Sequence, residues 1–173
     1  DQRPATAVEL DQMKDLARRA VGEGVWGMST GLIYVPSSYA DTAEIAAIAG
    51  EIGKAGGIYA SHIRGEGVGL LVAVREALAV GEQSGCAVHI SHFKSTGKEA
   101  WGLIREAARE IERARAAGRR VTADQYPYIA SSTSLEATVI PEWARSGGAD
   151  ELKRRLDDAE AGPRIRAAIE ADL

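Results

Sequence analysis

The phrases Ser61-His62-Ile63-Arg64 and Ser91-His92-Phe93-Lys94 repeat one pattern: a serine, a histidine, a hydrophobic residue and a cation. They stand 30 residues apart, and each is soon followed by glycine, at Gly65 and Gly97. Neutral imidazole is a metal ligand. Neighbouring parallel strands lie about 4.8 Å apart, so two imidazoles at matching strand ends can share one zinc ion at about 2.0–2.1 Å. Such an ion lowers the pKa of bound water toward about 7, which suits hydrolysis. For a lone histidine, a core or surface role is the alternative. His89 lies three residues before His92, so strand alternation predicts that it faces the opposite way, toward a helical layer.

Arg64 and Lys94 follow their histidines by two and share their direction if the strands continue. Either can hold a substrate carboxylate, Arg64 as a bidentate fork and Lys94 as a point charge; a solvated loop cation is the alternative. Tyr34, Tyr126 and Tyr128 can donate hydrogen bonds to a ligand or simply pack. Asp124 can act as ligand or base, or cap backbone amides. Cys86 precedes its strand, on the side away from the histidines, and reads as structural.

Positioning these groups requires an alternation of short strands and amphipathic helices. Apolar residues at Val8, Leu10, Met13, Leu16, Ala17, Ala20 and Val21 predict a helix over 8–21, ended by Gly22 and Gly24. Further helices are predicted from Asp41 to Gly56, over 68–83 and over 99–117, with strands at 25–28, 58–61, 87–91 and 120–124. The repeat of about 30 residues is the length of a strand, a loop and a helix, and such crossovers make strands parallel. Four units are half of an eight-fold barrel. An open doubly wound sheet has the same local pattern, but no glycine-rich dinucleotide loop follows any strand. The rhythm stops after Asp124. A polar loop, a turn at 141–144 and helices near 149–157 and 163–171 follow, the last with Pro163 in a permitted first-turn position. The fold class expected is therefore α/β, a partial (β/α)8 TIM barrel over residues 1–130 with a helical insertion over 131–173.

The bulk properties exclude several classes. The chain has 173 residues, 45% hydrophobic and 27% charged, with a net charge of −4. Its basic residues are spread along helices rather than gathered into a nucleic-acid patch. No apolar run approaches the roughly 20 residues that span a bilayer. Cys86 is the single cysteine, so no internal disulfide forms. With no leader-like start, a cytoplasmic setting is expected. The first residue is not Met, which is compatible with processing or with a fragment.

Four stretches together resemble the D-aminoacylases, N-acyl-D-amino-acid deacylases of the amidohydrolase superfamily: Ser29-Thr30-Gly31-Leu32-Ile33-Tyr34, Gly57-Ile58-Tyr59-Ala60-Ser61-His62-Ile63-Arg64, Ile90-Ser91-His92-Phe93-Lys94, and Thr122-Ala123-Asp124-Gln125-Tyr126-Pro127-Tyr128. The resemblance weakens after about Trp143. It implies a (β/α)8 barrel with zinc at its carboxyl face, a small β-rich domain, and hydrolysis of a linear, non-peptide amide bond in N-acyl-D-amino acids. It implies that His62 and His92 are zinc ligands and that Tyr34, Lys94, Tyr126 and Ser132 contact substrate. The family's paired histidines on the first strand, and a metal-binding cysteine, have no counterpart here. Its general-base aspartate is expected beyond Leu173, so no catalytic residue is expected within this stretch. The chain is then a fragment covering about strands four to seven, inactive alone, with open sheet edges that favour self-association. The alternatives are a related amidohydrolase acting on cyclic amides or dipeptides, and a non-catalytic half-barrel scaffold.

Overall fold

The computed structural model describes residues 3–171. Helix α1 spans Ala7–Gly22 and opens on a capping box in which Thr6 and Glu9 satisfy each other's backbone N–H groups. Strand β1 is Gly27–Gly31, helix α2 Thr42–Gly53, strand β2 Ile58–His62 and helix α3 Leu70–Ser84. Strand β3 is Ala87–Ile90, helix α4 Leu103–Ala116 and strand β4 Val121–Ala123. The four strands form one parallel sheet in the order β1-β2-β3-β4.

Beyond the strands, helices α5 (Leu135–Val139), α6 (Ala149–Asp157) and α7 (Ala161–Ala171) complete the chain. Helix α5 follows the expected polar loop, in a stretch before the turn at 141–144 where no element is expected; Ser134 caps it by accepting from Ala137 N–H. Helix α6 has the expected bounds, and α7 begins two residues early with Pro163 still in its first turn. No helix among the described residues is long and apolar enough to cross a membrane.

Strand β1 begins two residues later than the apolar run Val25-Trp26 suggests, and Trp26 is 89% exposed. Its pairing is polar instead. The Thr30 hydroxyl lies 2.9 Å from the Tyr59 hydroxyl and 3.2 Å from that of Ser61, its register partner. Close approach also selects Gly27, where a Cβ would lie 2.4 Å from the Ile58 carbonyl oxygen.

Helices α2, α3 and α4 bury one face of the sheet. Ile45, Ala49 and Ile52 from α2 and Val74, Leu78 and Ile111 from α3 and α4 join Tyr59, Val88, Ile90 and Val121 in one core. The opposite face carries Ile58, Ala60, His62, His89 and Thr122, none of them buried. Cys86 is buried and its Sγ lies 3.2 Å from the Ala49 carbonyl, in keeping with a structural role.

The join between α2 and α3 is tight. A Cβ on Gly53 would lie 2.0 Å from the Ser84 carbonyl oxygen, a backbone atom that cannot swing aside. Gly53→Ala is expected to lower stability by about 1–3 kcal/mol, a drop of roughly 2–4 °C in Tm per kcal/mol. A thermal melt checks this; an unchanged Tm would contradict the tight approach.

Candidate metal centre

His62 ends β2, where alternation decides its direction. Tyr59, Ser61 and Ile63 are buried on the helical side, so His62 projects from the open face. His92 reaches the same face by a different route. Strands β2 and β3 pair at an offset of 29 residues, as in Ile58 with Ala87, whereas the two histidines are 30 apart.

A bulge absorbs the difference. Val88 N–H donates to the Arg120 carbonyl at 2.8 Å, and the Ile90 carbonyl accepts from Asp124 N–H at 3.2 Å. A regular ladder would next have His92 N–H donate to the Asp124 carbonyl. Phe93 N–H takes that carbonyl instead, at 2.8 Å. One extra residue is thus inserted between the two ladder bonds, which is a β-bulge. His92 has φ 40°, the only left-handed non-glycine residue among those described. Phe93 then packs toward the core beside Val88 and Ile90, and His92 turns to the open face.

The two imidazole rings lie 4.4 Å apart, centroid to centroid, at 70°. Glu66, from the loop after β2, approaches them: its Oε1 is 3.1 Å from His92 Nδ1. One ligand atom from each of His62, Glu66 and His92 can be chosen so that all lie within 4.8 Å of one another. Glu66 is not among the residues that the resemblance singles out; its signal in the sequence is an acid between two glycines, four residues after a strand-end histidine.

These groups fit a divalent metal in one respect and contest it in another. His62 Nε2 is buried without a hydrogen-bond partner among the described residues. Burial holds the pKa of His62 below its ordinary value, which favours the neutral imidazole that a metal requires. Lys94 is the competitor. Its ammonium donates to Glu66 Oε1 and lies 3.0 Å from His92 Nδ1. A metal on the histidines therefore gains Glu66 as a ligand only if Lys94 moves away, because two cations repel at such range.

The tyrosines surround this cluster. The Tyr34 ring is 5.5 Å from that of His62, and its hydroxyl is 2.8 Å from Thr133 Oγ1. The Tyr126 ring is 6.3 Å from that of His92, with Lys94 Nζ 5.4 Å from its centroid. Its hydroxyl is buried and unpartnered among the described residues. Tyr128 is 74% exposed. Ser131 lines the groove that runs past His92, Lys94 and Tyr126, while Ser132 is exposed and is not among the lining residues.

Two expectations change, and the alternatives left open for Asp124 are decided. His89 does not face the helical layer: it pairs in register with Ala60, on the open face, while Val88 and Ile90 take the helical side. The error came from carrying strict alternation through the bulge. Arg64 is neither free for a substrate nor merely solvated. It forks onto Glu76 at 2.9 Å and donates to the carbonyls of Ser38 and Ala40 at 2.6 and 2.7 Å. Asp124 caps rather than coordinates. Its carboxylate accepts from His92 N–H and from the His89 ring, and these bonds hold its pKa below the ordinary carboxylate value.

No protein-family model matches the sequence. The chain is 41% identical over 135 residues to a D-aminoacylase of Alcaligenes xylosoxydans xylosoxydans, covering 78% of this chain and 28% of that protein. It is 42% identical over 139 residues to an N-acyl-D-glutamate deacylase of the same organism, covering 80% of this chain and 28% of the relative. Among solved structures, the N-acyl-D-glutamate deacylase of Bordetella bronchiseptica, complexed with zinc and a phosphonate mimic of the tetrahedral intermediate, superimposes with a TM-score of 0.76 at 39% identity. That match covers 84% of this chain and 30% of the other. The chain thus spans less than a third of the length of the relatives it matches.

Proposed function

Because the chain is homologous to one segment of the D-aminoacylases and N-acyl-D-amino-acid deacylases, we propose that it supplies His62 and His92 as zinc ligands to a longer hydrolase of N-acyl-D-amino acids. The observation that carries this reading is the imidazole pair, 4.4 Å apart on the open face, one of them with a buried, unpartnered nitrogen. The sheet, with helices on one face and these groups on the other, then forms part of a (β/α)8 barrel whose carboxyl face holds the site. Residues 131–173 are read as an insertion beside that face.

Zinc, when bound, would polarise the amide carbonyl and activate water. The residues of this chain hold and orient. His62, whose burial favours the neutral imidazole, offers an Nε2 without a hydrogen-bond partner among the described residues. Lys94, which lines the groove beside His92 and Tyr126, is the cation that would leave Glu66 to meet the substrate carboxylate as a point charge. Tyr126 offers its buried hydroxyl and Tyr34 its ring and hydroxyl from the opposite side. Ser132 is proposed as a substrate contact on the resemblance alone. The proton-accepting aspartate is expected outside residues 1–173.

A panel of N-acyl-D- and N-acyl-L-amino acids, given to the longer protein with and without zinc, tests the reading. Zinc-dependent release of the D-amino acid is expected, with no turnover by the 173-residue chain alone. Failure on both series would overturn it, and activity on cyclic amides or dipeptides would redirect it to a related amidohydrolase.

A further inference from the structure

We infer that Asp124, braced by His89, is the positioning residue that keeps His92 in its bulge and its ring against His62. A regular ladder would send His92 into the helical layer, as alternation from Val88 and Ile90 dictates. The left-handed backbone that redirects it, with φ 40°, is disfavoured for a non-glycine residue. The bulge also removes His92 N–H from the ladder, leaving a donor that needs a partner.

Asp124 answers both needs because its backbone is already pinned on either side of the bulge. Its N–H donates to the Ile90 carbonyl at 3.2 Å, and its carbonyl accepts from Phe93 N–H at 2.8 Å. From that fixed place Oδ1 accepts the displaced His92 N–H. Its other oxygen, Oδ2, lies 3.0 Å from His89 Nε2. A carboxylate acceptor places a proton on Nε2, and in the neutral imidazole His89 Nδ1 then accepts from the Thr122 hydroxyl at 2.8 Å. Thr122 is the register partner of His89 on β4. Asp124 is 62% exposed, so the two-sided hold, rather than burial, fixes its carboxylate. Both ring nitrogens of His89 are engaged in this brace, which gives the third histidine a role without a metal. The consequence for metal affinity rests on the proposed ligand role of His92; the positioning itself does not.

NMR of the isotopically labelled longer protein tests this without activity. The wild type is expected to show contacts between the His62 and His92 ring protons and a slowly exchanging His92 amide. Asp124→Ala should lose the ring contacts and exchange the His92 amide about tenfold faster or more, with the core amides unchanged. Asp124→Asn retains an oxygen acceptor and should keep both signals. If Asp124→Ala does not fold, His89→Phe takes its place, with several-fold faster exchange expected. Ring contacts and slow exchange that persist in Asp124→Ala, or unchanged exchange in His89→Phe, would overturn the inference. A Co2+ titration separates the two proposals. Where cobalt binds, Asp124→Ala should weaken it by about 10–100-fold. A wild type that shows the ring contacts but binds no cobalt defeats the metal reading and leaves the positioning intact.

Discussion

His62→Ala in the longer protein is expected to cut hydrolytic turnover by about a thousandfold or more, on the order of 4 kcal/mol in barrier height. Removing the ring removes one of the two proposed zinc ligands in this segment, and no neighbouring group among the described residues is free to replace it. Lys94 carries the wrong charge, and Glu66 is already engaged by Lys94. The same substitution should leave the fold largely intact. The ring is only half-buried, and its buried Nε2 has no hydrogen-bond partner to lose among the described residues. Steady-state kinetics and a thermal melt, read together, check both halves. Activity within tenfold of wild type would contradict a ligand role, and a collapsed Tm would relocate the residue to the structural framework.

Arg64→Ala is expected to have the converse profile, a large loss of stability. Arg64 ties three elements together: it forks onto Glu76 of α3 and donates to the carbonyls of Ser38 and Ala40 in the loop after β1. Truncation leaves the Glu76 carboxylate, 12% exposed, without its cationic partner, with the Thr42 hydroxyl still donating to it at 3.1 Å. Breaking a buried ion pair from one side costs about 3–5 kcal/mol. Arg64 is itself 34% exposed, so solvent screening places the expected loss near the lower end, about 3 kcal/mol. Arg64→Lys should recover only part of it, since an ammonium cannot span a carboxylate and two carbonyls at once. Denaturant melts of the three proteins give the comparison. Equal midpoints for wild type and Arg64→Ala would contradict the assigned tie.

Much of the scaffold was readable because local pattern and global fold agree. The glycines after each helix and the apolar stripes of α1 to α4 reflect forces acting over a few residues, and α/β alternation follows from them. Strand β1 was misplaced because its pairing uses hydroxyls and a glycine rather than an apolar run. Helix α5 escaped notice because a five-residue helix has too little period to detect.

The placement of His62 beside His92 was legible, but not how His92 arrives there. Its bulge depends on Asp124, 32 residues away in sequence, and a one-residue insertion inverts every face assigned by alternation. For that reason His89 was assigned to the wrong side. Arg64 and Glu66 illustrate a related limit. A charged residue at a strand end looks the same in sequence whether it meets a ligand, as proposed for Lys94, or ties loops together, as Arg64 does.

The central claim is that His62 and His92 share a zinc ion, and the zinc content of the purified longer protein tests it most directly. Wild type and a His62→Ala/His92→Ala double variant are prepared alike and their bound metal measured. Stoichiometric zinc in the wild type, falling to a small fraction in the double variant with the fold retained, is the predicted result. A folded double variant that retains the full complement of zinc would contradict the claim.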